Sequence, residues 1–169
     1  MPSNFYIDVL KNDPRFKTTQ VIKDVSLLEP GTRAAVAKLI VLAHEAGHEI
    51  RVGETFRSQA RQTQVFKAGA SKLSKVGCHG YGLAADLQLI VKGKYDPNGN
   101  HYKILVPLCK QVGLISGIDW GTPKQKHTFI DAGHVQRIPI FRQAQVFSGV
   151  WYPPPNYDPY ADQVAHGIK

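Results

Sequence analysis

Two short stretches of the sequence carry residue types that could bind a metal ion. The first is HEAGH, in which His44 and His48 would stand one turn apart on a continuous helix, with Glu45 between them as a base. The second is CHGYGLAADL, in which a glycine-bearing turn separates His79 from Asp86. The two stretches cannot both be the centre of the chemistry.

The residues around HEAGH argue against it. One helical face precedes it, formed by Val36, Leu39, Ile40 and Ala43. This pattern ends at Gly47, and the alternating stretch EIRVGE follows at once, as in a strand. We therefore expect His48 to lie beyond the last helical turn, where it cannot share an ion with His44. The longer form of the motif also needs a glycine and a third histidine where this chain has Arg51 and Glu54. We interpret HEAGH as a helix C-terminus, where a histidine suits the helix dipole.

The second stretch gains partners far downstream, in DAGHVQ. His79, Asp86 and His134 together make two imidazoles and one carboxylate, a catalytic zinc set that leaves the fourth position for water. Asp131, three residues before His134, could then act as a general base. A histidine and an aspartate in a glycine-rich turn are also common turn formers, so spacing alone leaves both interpretations open.

Periodicity predicts the elements that must position these residues. In GLAADLQLI one face of a strand carries Leu83, Ala85, Leu87 and Leu89. Asp86 then projects from the opposite face. HEIRVGETF predicts another strand, with Arg57 just after it, where it could polarise a substrate carbonyl.

The remaining elements complete the expected fold. RSQARQTQVFKAGA predicts a short helix, and HYKILVPLCKQVG predicts a helix interrupted by Pro107. LISGIDW and GHVQRI predict two more strands, and KGKYDPNGN predicts a loop or hairpin turn. The sum is an α+β fold, in which helices flank a small, mainly antiparallel sheet and the site lies in a cleft on that sheet.

Composition limits the class of protein. The chain has 169 residues, 43% hydrophobic and 20% charged, which fits one globular domain. No apolar run approaches the ~20 residues needed to span a bilayer, and the N-terminus lacks a signal-peptide pattern, so we expect synthesis in the cytoplasm. The two cysteines, Cys78 and Cys109, form no disulfide framework or zinc ribbon. The net charge of +8 indicates an anionic partner, but the absence of a Lys/Arg block or reading motif argues against nucleic acid.

The ordered set of motifs resembles the D-Ala-D-Ala carboxypeptidase superfamily of zinc peptidases. The string H-x-x-G-x-A-x-D is matched by His79, Gly82, Ala84 and Asp86, and the later string D-x-x-H by Asp131 and His134. The segments ETFRSQARQ, GLISGIDWG and HVQ are similar to further segments of that family, so the resemblance covers about residues 30–138. The chain departs from the family at Gly77, where a serine is common, and this bears on hydrogen bonding to substrate.

The resemblance implies roles for individual residues. It implies zinc as the cofactor and names three ligands: His79, Asp86 and His134. Asp131 would be the catalytic base and Arg57 the electrophilic stabiliser. His127 is either a cleft residue that binds substrate or a surface histidine, and Trp120 is expected to pack beside the site as a wall.

The same resemblance implies a reaction. This is metal-assisted hydrolysis of an amide bond in the stem peptide of bacterial peptidoglycan, at L-Ala–D-Glu, by a phage-type endolysin. The basic surface would suit an anionic cell wall, which the protein would reach after release from the cytoplasm. We expect a monomer, with a peptidase domain over residues 1–150 and a Pro- and Tyr-rich tail over 151–169 that packs irregularly or is disordered.

Three other interpretations stay open. One is a carboxypeptidase or dipeptidase of the same superfamily, acting on terminal D-Ala-D-Ala through a closed pocket that reads a free carboxylate. The second is a non-catalytic metal module, against which Asp131 and Arg57 argue, because a structural site needs neither. The third is a basic nucleic-acid-binding protein, which the lack of a reading motif disfavours.

Overall fold

The computed structural model describes residues 3–121, 126 and 128–168, and these form a sheet flanked by helices. The helices are α1 (Phe5–Asp8), α2 (Pro30–Glu45), α3 (Gln59–Lys67), α4 (Leu105–Val112), α5 (Ile140–Phe147) and α6 (Pro159–Ala165). The strands are β1 (Glu49–Glu54), β2 (Ala84–Val91), β3 (Lys94–Asp96), β4 (Ile115–Ser116) and β5 (His134–Gln136). Short 3₁₀ turns include Cys78–Tyr81, just before β2, and Gly99–Ile104, just before α4.

The strands pair antiparallel in the order β1–β2–β5–β4, with β3 also on β2. β2 is the centre of this sheet, because its first half pairs with β5 and its second half with β3. Lys92 and Gly93 both have positive φ (51° and 76°) and form the two-residue turn between β2 and β3. The predicted fold class, a small antiparallel sheet flanked by helices, is confirmed.

One face of the sheet packs against α2 and α4, and the other face carries the site. The packed face carries side chains that are no more than 4% exposed: Ile50, Ala85, Leu87, Leu89 and Val135. They meet Val36 and Leu39 of α2 and Leu105 of α4 in the same core cluster. Because side chains alternate along a strand, Asp86 points away from this core, as its position in the sequence predicts.

A β-bulge changes the alternation in β1. Val52 lies opposite Leu87 and Glu54 opposite Asp86, so Gly53 is an extra residue between them. Simple alternation would place Glu54 on the core face with Val52. The bulge instead brings Glu54 to the face of Asp86, where it is buried and contacts Arg57.

The HEAGH segment closes α2. The helix ends at Glu45, Gly47 adopts a left-handed φ of 86°, and the backbone N–H of His48 donates to the Ala43 carbonyl at 2.8 Å. β1 begins at the next residue, Glu49. The prediction that His48 lies beyond the helix is confirmed.

Pro107 does not break α4, because it lies in the first turn, where backbone N–H groups have no partner within the helix. Gly113 ends this helix with a φ of 74°. Among the described residues, no helix combines the length and the apolar composition that crossing a bilayer requires.

The C-terminal segment packs against the rest of the molecule. The Tyr152 hydroxyl donates to the carbonyl of Tyr81 at 2.7 Å, and the Tyr160 hydroxyl donates to the carbonyl of Leu114 at 2.7 Å. The expected irregular packing holds for residues 151–158, whereas the helix over Pro159–Ala165 was not predicted.

Candidate metal centre

His79 is placed by a tight turn before β2. This 3₁₀ turn ends at Gly82, whose φ of 70° and close approach to the Leu27 carbonyl oxygen (3.0 Å from a Cβ added there) both require glycine. The imidazole is buried, and its Nδ1 lies 2.7 Å from the carbonyl oxygen of Thr55. A carbonyl only accepts, so Nδ1 carries the hydrogen and Nε2 presents its lone pair. Nε2 lies 3.1 Å from Oδ1 of Asp86.

Asp86 and His134 are cross-strand neighbours. They lie directly opposite each other in the β2–β5 register, so both side chains project from the same face. Nδ1 of His134 lies 3.3 Å from Oδ1 of Asp86. Nε2 of His134 lies 3.0 Å from Oε1 of Gln136, whose amide nitrogen donates to the Ile138 carbonyl at 2.6 Å. The Gln136 amide is thereby oriented so that its oxygen accepts from Nε2–H, which leaves the Nδ1 lone pair for a metal.

These three side chains fit a zinc ion. One donor atom from each, two imidazole nitrogens and one carboxylate oxygen, lies within 4.8 Å of the others, and no other such group of three or more His, Cys, Asp or Glu occurs in the described part of the chain. Each imidazole has its outer nitrogen bonded to an acceptor, as in metal sites whose ligands are oriented by surrounding groups. Two nitrogens and one oxygen match a catalytic zinc set with a position left for water. The structure thus brings together the three residues proposed as ligands.

The charges around Asp86 keep it ionised. Burial disfavours its charged form, but the two neighbouring imidazoles outweigh burial and hold the pKa of the Asp86 carboxyl well below its ordinary value. Burial likewise disfavours the charged imidazole of His134, yet its contact with Asp86 raises the pKa of His134 above the ordinary value. The pocket therefore attracts a cation, whether proton or metal.

Asp131 lies beside the three ligands without belonging to them. Its backbone N–H donates to the Gly117 carbonyl, and its own carbonyl accepts from the His134 N–H, both at 3.2 Å. Burial raises the pKa of its carboxyl above the ordinary value, although the nearby His134 opposes this. A partly buried carboxyl with a raised pKa, next to a metal site, suits a general base.

Arg57 bridges two carboxylates. Its Nη2 lies 2.8 Å from Oδ2 of Asp86, and its Nε lies 3.0 Å from Oε2 of Glu54. Burial disfavours the charged guanidinium, but these carboxylates raise the pKa of Arg57, so it stays a cation. It holds one oxygen of Asp86 while the other oxygen faces the imidazoles. Its predicted role as an electrophilic stabiliser stays a prediction.

Trp120 lies where the sequence suggested, with its ring centroid 5.2 Å from that of His134 and its indole N–H donating to the Phe129 carbonyl at 2.9 Å. His127, the other candidate cleft residue, lies outside the described residues. Both cysteines are buried, and burial raises the pKa of each thiol to about 12. Neither thiol belongs to the group of side chains whose donor atoms converge on the metal centre.

Two pockets adjoin the metal centre, one on its helix side and one on its hairpin side, and together they are called the cleft. The helix side is lined by Gln62, Ser71, Lys72, Leu73, Gly77 and Gln143. The hairpin side is lined by Lys23, Arg61, Gln88, Tyr95, Pro97 and Tyr102. Asp131 lines both sides, so the general-base candidate stands at their junction.

Sequence reasoning missed two residues that hold the centre together. Gln136 was noted only as part of the string HVQ, although its parity with His134 along a strand could have indicated that the two side chains share a face. Glu54 gave no signal, because only the bulge at Gly53 brings it to the site.

The sequence matches no protein-family model and no curated protein. Its structure is similar to solved structures of peptidases. The L-Ala D-Glu endopeptidase ChiX of Serratia marcescens aligns with a TM-score of 0.54 and 19% identity, over 66% of this chain and 81% of ChiX.

Two further peptidase structures align with slightly lower TM-scores. The LD-carboxypeptidase LdcB has a TM-score of 0.50 and 20% identity, over 64% of this chain, which spans 58% of LdcB. The vancomycin resistance D,D-pentapeptidase VanY, solved in complex with Zn(II), has a TM-score of 0.50 and 14% identity, over 72% of this chain and 78% of VanY. The chain therefore has the fold of these peptidases, as the sequence resemblance implied.

Proposed function

We propose that the protein is a zinc-dependent peptidase of the D-Ala-D-Ala carboxypeptidase superfamily that hydrolyses an amide bond in the peptidoglycan stem peptide. The observation that carries this proposal is the convergence of His79, Asp86 and His134 beside the partly buried carboxyl of Asp131. A purely structural metal site needs no adjacent base. The shared fold with ChiX, LdcB and VanY supports the substrate class.

The side chains of the centre have separate roles in hydrolysis. Zinc held by the three ligands would supply a Lewis acid and lower the pKa of water to about 7. Asp131 takes the proton from the attacking water and passes it to the leaving amine, for which its raised pKa is suited. Arg57 lines the same cleft and stays charged, so it can donate to the carbonyl oxygen as negative charge develops there.

We assign the cut to the L-Ala–D-Glu bond, inside the stem peptide. Asp131 lines a pocket on the helix side and a second pocket on the hairpin side, which supports a substrate that continues in two directions from the scissile bond. A carboxypeptidase would instead need one end closed around a terminal carboxylate. ChiX, an L-Ala D-Glu endopeptidase, has the highest TM-score of the three structures compared above.

We further propose that the protein acts as a monomeric phage-type endolysin, on the cell wall after release from the cytoplasm. The support for this is the net charge of +8, which favours association with an anionic wall polymer.

Mass spectrometry of purified peptidoglycan, incubated with the protein and zinc, tests the proposal, with His134→Ala as the control. Release of stem peptides that begin at D-Glu, by the wild type alone, is the expected result. Loss of only a terminal D-Ala would keep the zinc peptidase and move the assignment to carboxypeptidase. No zinc-dependent product at all would refute the substrate class.

A further inference from the structure

Beyond the metal centre, the helix side of the cleft carries a lysine, Lys72, that has no role in the proposed hydrolysis. Two basic side chains line this side in the described part of the chain, Arg57 and Lys72. Arg57 is engaged by Glu54 and Asp86, whereas no ion pair holds Lys72 among the described residues. In the part of the chain that the structure describes, Asp131 is the only carboxylate that lines this side. The hairpin side differs, because Glu54 and Asp86 line it and Glu54 pairs with Arg61 there.

The loop that presents Lys72 is fixed to α3. The Gln62 amide nitrogen donates to Ser71 Oγ at 3.0 Å and to the Leu73 carbonyl at 2.6 Å. One helical turn earlier, Gln59 donates to the Ser74 carbonyl at 2.9 Å and accepts from the Val76 N–H at 3.0 Å. The two glutamines hold both halves of the loop, so the backbone at Lys72 has a defined position on the cleft wall.

The same hydrogen bonds connect this loop to the centre. The oxygen of the Gln62 side chain accepts from Arg57 Nη1 at 3.3 Å, while its nitrogen holds the loop. Gly77, at the far end of the loop, lines the cleft without a side chain. Arg57, Lys72 and Gly77 therefore line the same pocket, in which a substrate group can be bound.

We propose that Lys72 is a specificity-determining residue that binds the free α-carboxylate of the D-Glu residue on the amine side of the scissile bond. The inference rests on the proposed function, since it names how that substrate lies in the cleft. D-Glu is joined onward through its side-chain carboxyl, so its α-carboxylate stays free beside the bond that is cut. The L-Ala on the other side carries no charge. The substrate then places D-Glu on the helix side and L-Ala on the hairpin side.

Two synthetic stem peptides test this directly, one with D-Glu and one in which the α-carboxylate is amidated as D-isoglutamine. For the wild type with zinc, we expect kcat/KM to be about tenfold higher for the D-Glu peptide, the size of one charge-assisted hydrogen bond. Lys72→Met should remove this preference by lowering kcat/KM for the D-Glu peptide alone, and Lys72→Arg should retain most of it. Lys75→Met is the matched control, because Lys75 is an exposed lysine of the same loop that does not line the cleft.

The outcomes separate the two proposals. If the wild type cleaves neither peptide, the proposed function fails and this inference fails with it. If both peptides are cleaved equally, or if Lys72→Met keeps the wild-type preference, only the role of Lys72 is overturned. Lys75→Met is expected to leave the preference intact. If it instead loses as much preference as Lys72→Met, general surface charge causes the preference, and the role of Lys72 is overturned.

Discussion

The end of α2 and the polar face of the sheet both place two histidines and a carboxylate near one another, but they differ in what surrounds these side chains. At the end of α2, His44 and Glu45 are exposed, and His48 lies past the helix. On the sheet, His79 and His134 are buried, and each has its outer ring nitrogen bonded to an oxygen. Only the second region aims its lone pairs at a common point.

This difference shows what a metal site requires beyond residue type. An imidazole binds a metal through the nitrogen that carries no hydrogen, and the hydrogen bond at its other nitrogen decides which one that is. The acceptors for His79 and His134 are the Thr55 carbonyl and the Gln136 amide. A five-residue string specifies residue types and their spacing but not such partners, so the HEAGH string matches a motif without forming its site.

The largest effect on activity and zinc binding is expected from the loss of a metal ligand. His134→Ala should reduce peptidase activity to the uncatalysed background and abolish stoichiometric zinc binding, because two donors remain. Zinc titration with a chromophoric chelator, together with the peptide assay, measures both. Zinc should also raise the Tm of the wild type but not of this variant. A variant that still binds one zinc tightly would contradict the assigned centre.

Removing the base should separate catalysis from metal binding. Asp131→Asn is expected to lower kcat by about 10²–10⁴-fold. Its zinc affinity should stay within a few-fold of the wild type, because Asp131 is not among the three donors. Steady-state kinetics and zinc analysis of the same preparation check this. If zinc is lost along with activity, Asp131 supports metal binding and is not shown to transfer the proton.

Disrupting the orientation of His134 should have a smaller effect. Gln136→Leu removes the acceptor at Nε2 and is expected to weaken zinc binding by about 10–100-fold. Gln136→Glu keeps an oxygen acceptor there and should bind zinc more tightly than Gln136→Leu. Competition titrations give the affinities, and thermal unfolding of the zinc-free proteins shows whether either variant is misfolded. Equal zinc affinities in the well-folded Gln136→Leu variant and the wild type would show that Gln136 does not orient His134 for zinc binding.

The smallest effect is expected at the end of α2. The double variant His44→Ala/His48→Ala should keep wild-type zinc stoichiometry and kcat/KM. It should cost at most about 1 kcal/mol of stability, the usual contribution of a residue near a helix C-terminus. Denaturant unfolding and the peptide assay test this pair. A drop in activity comparable to that of His134→Ala would contradict the conclusion that the metal centre lies on the sheet and not at the end of α2.

Local periodicity predicted the elements near the site well. The helix α2, the strands β1 and β2 and the helix α3 all lie where the pattern of apolar residues places them. The prediction that Asp86 projects from the face opposite the apolar side chains of β2 is also confirmed, because a buried face imposes strict alternation. Short elements were harder to predict: β4 has two residues, and its position depends on pairing with β5 rather than on its own sequence.

The sequence by itself determined which residue types are available and the faces from which most of them project. The order of the motifs, which resembles that of a zinc-peptidase superfamily, was enough to name His79, Asp86, Asp131 and His134. Tertiary structure alone decided which nitrogen of His79 is free, that Glu54 reaches Arg57, and that Lys72 lies on the cleft wall. These features depend on a bulge, a backbone carbonyl and a loop anchored on a separate helix. Each of them joins residues through contacts in space, which no local pattern in the chain encodes.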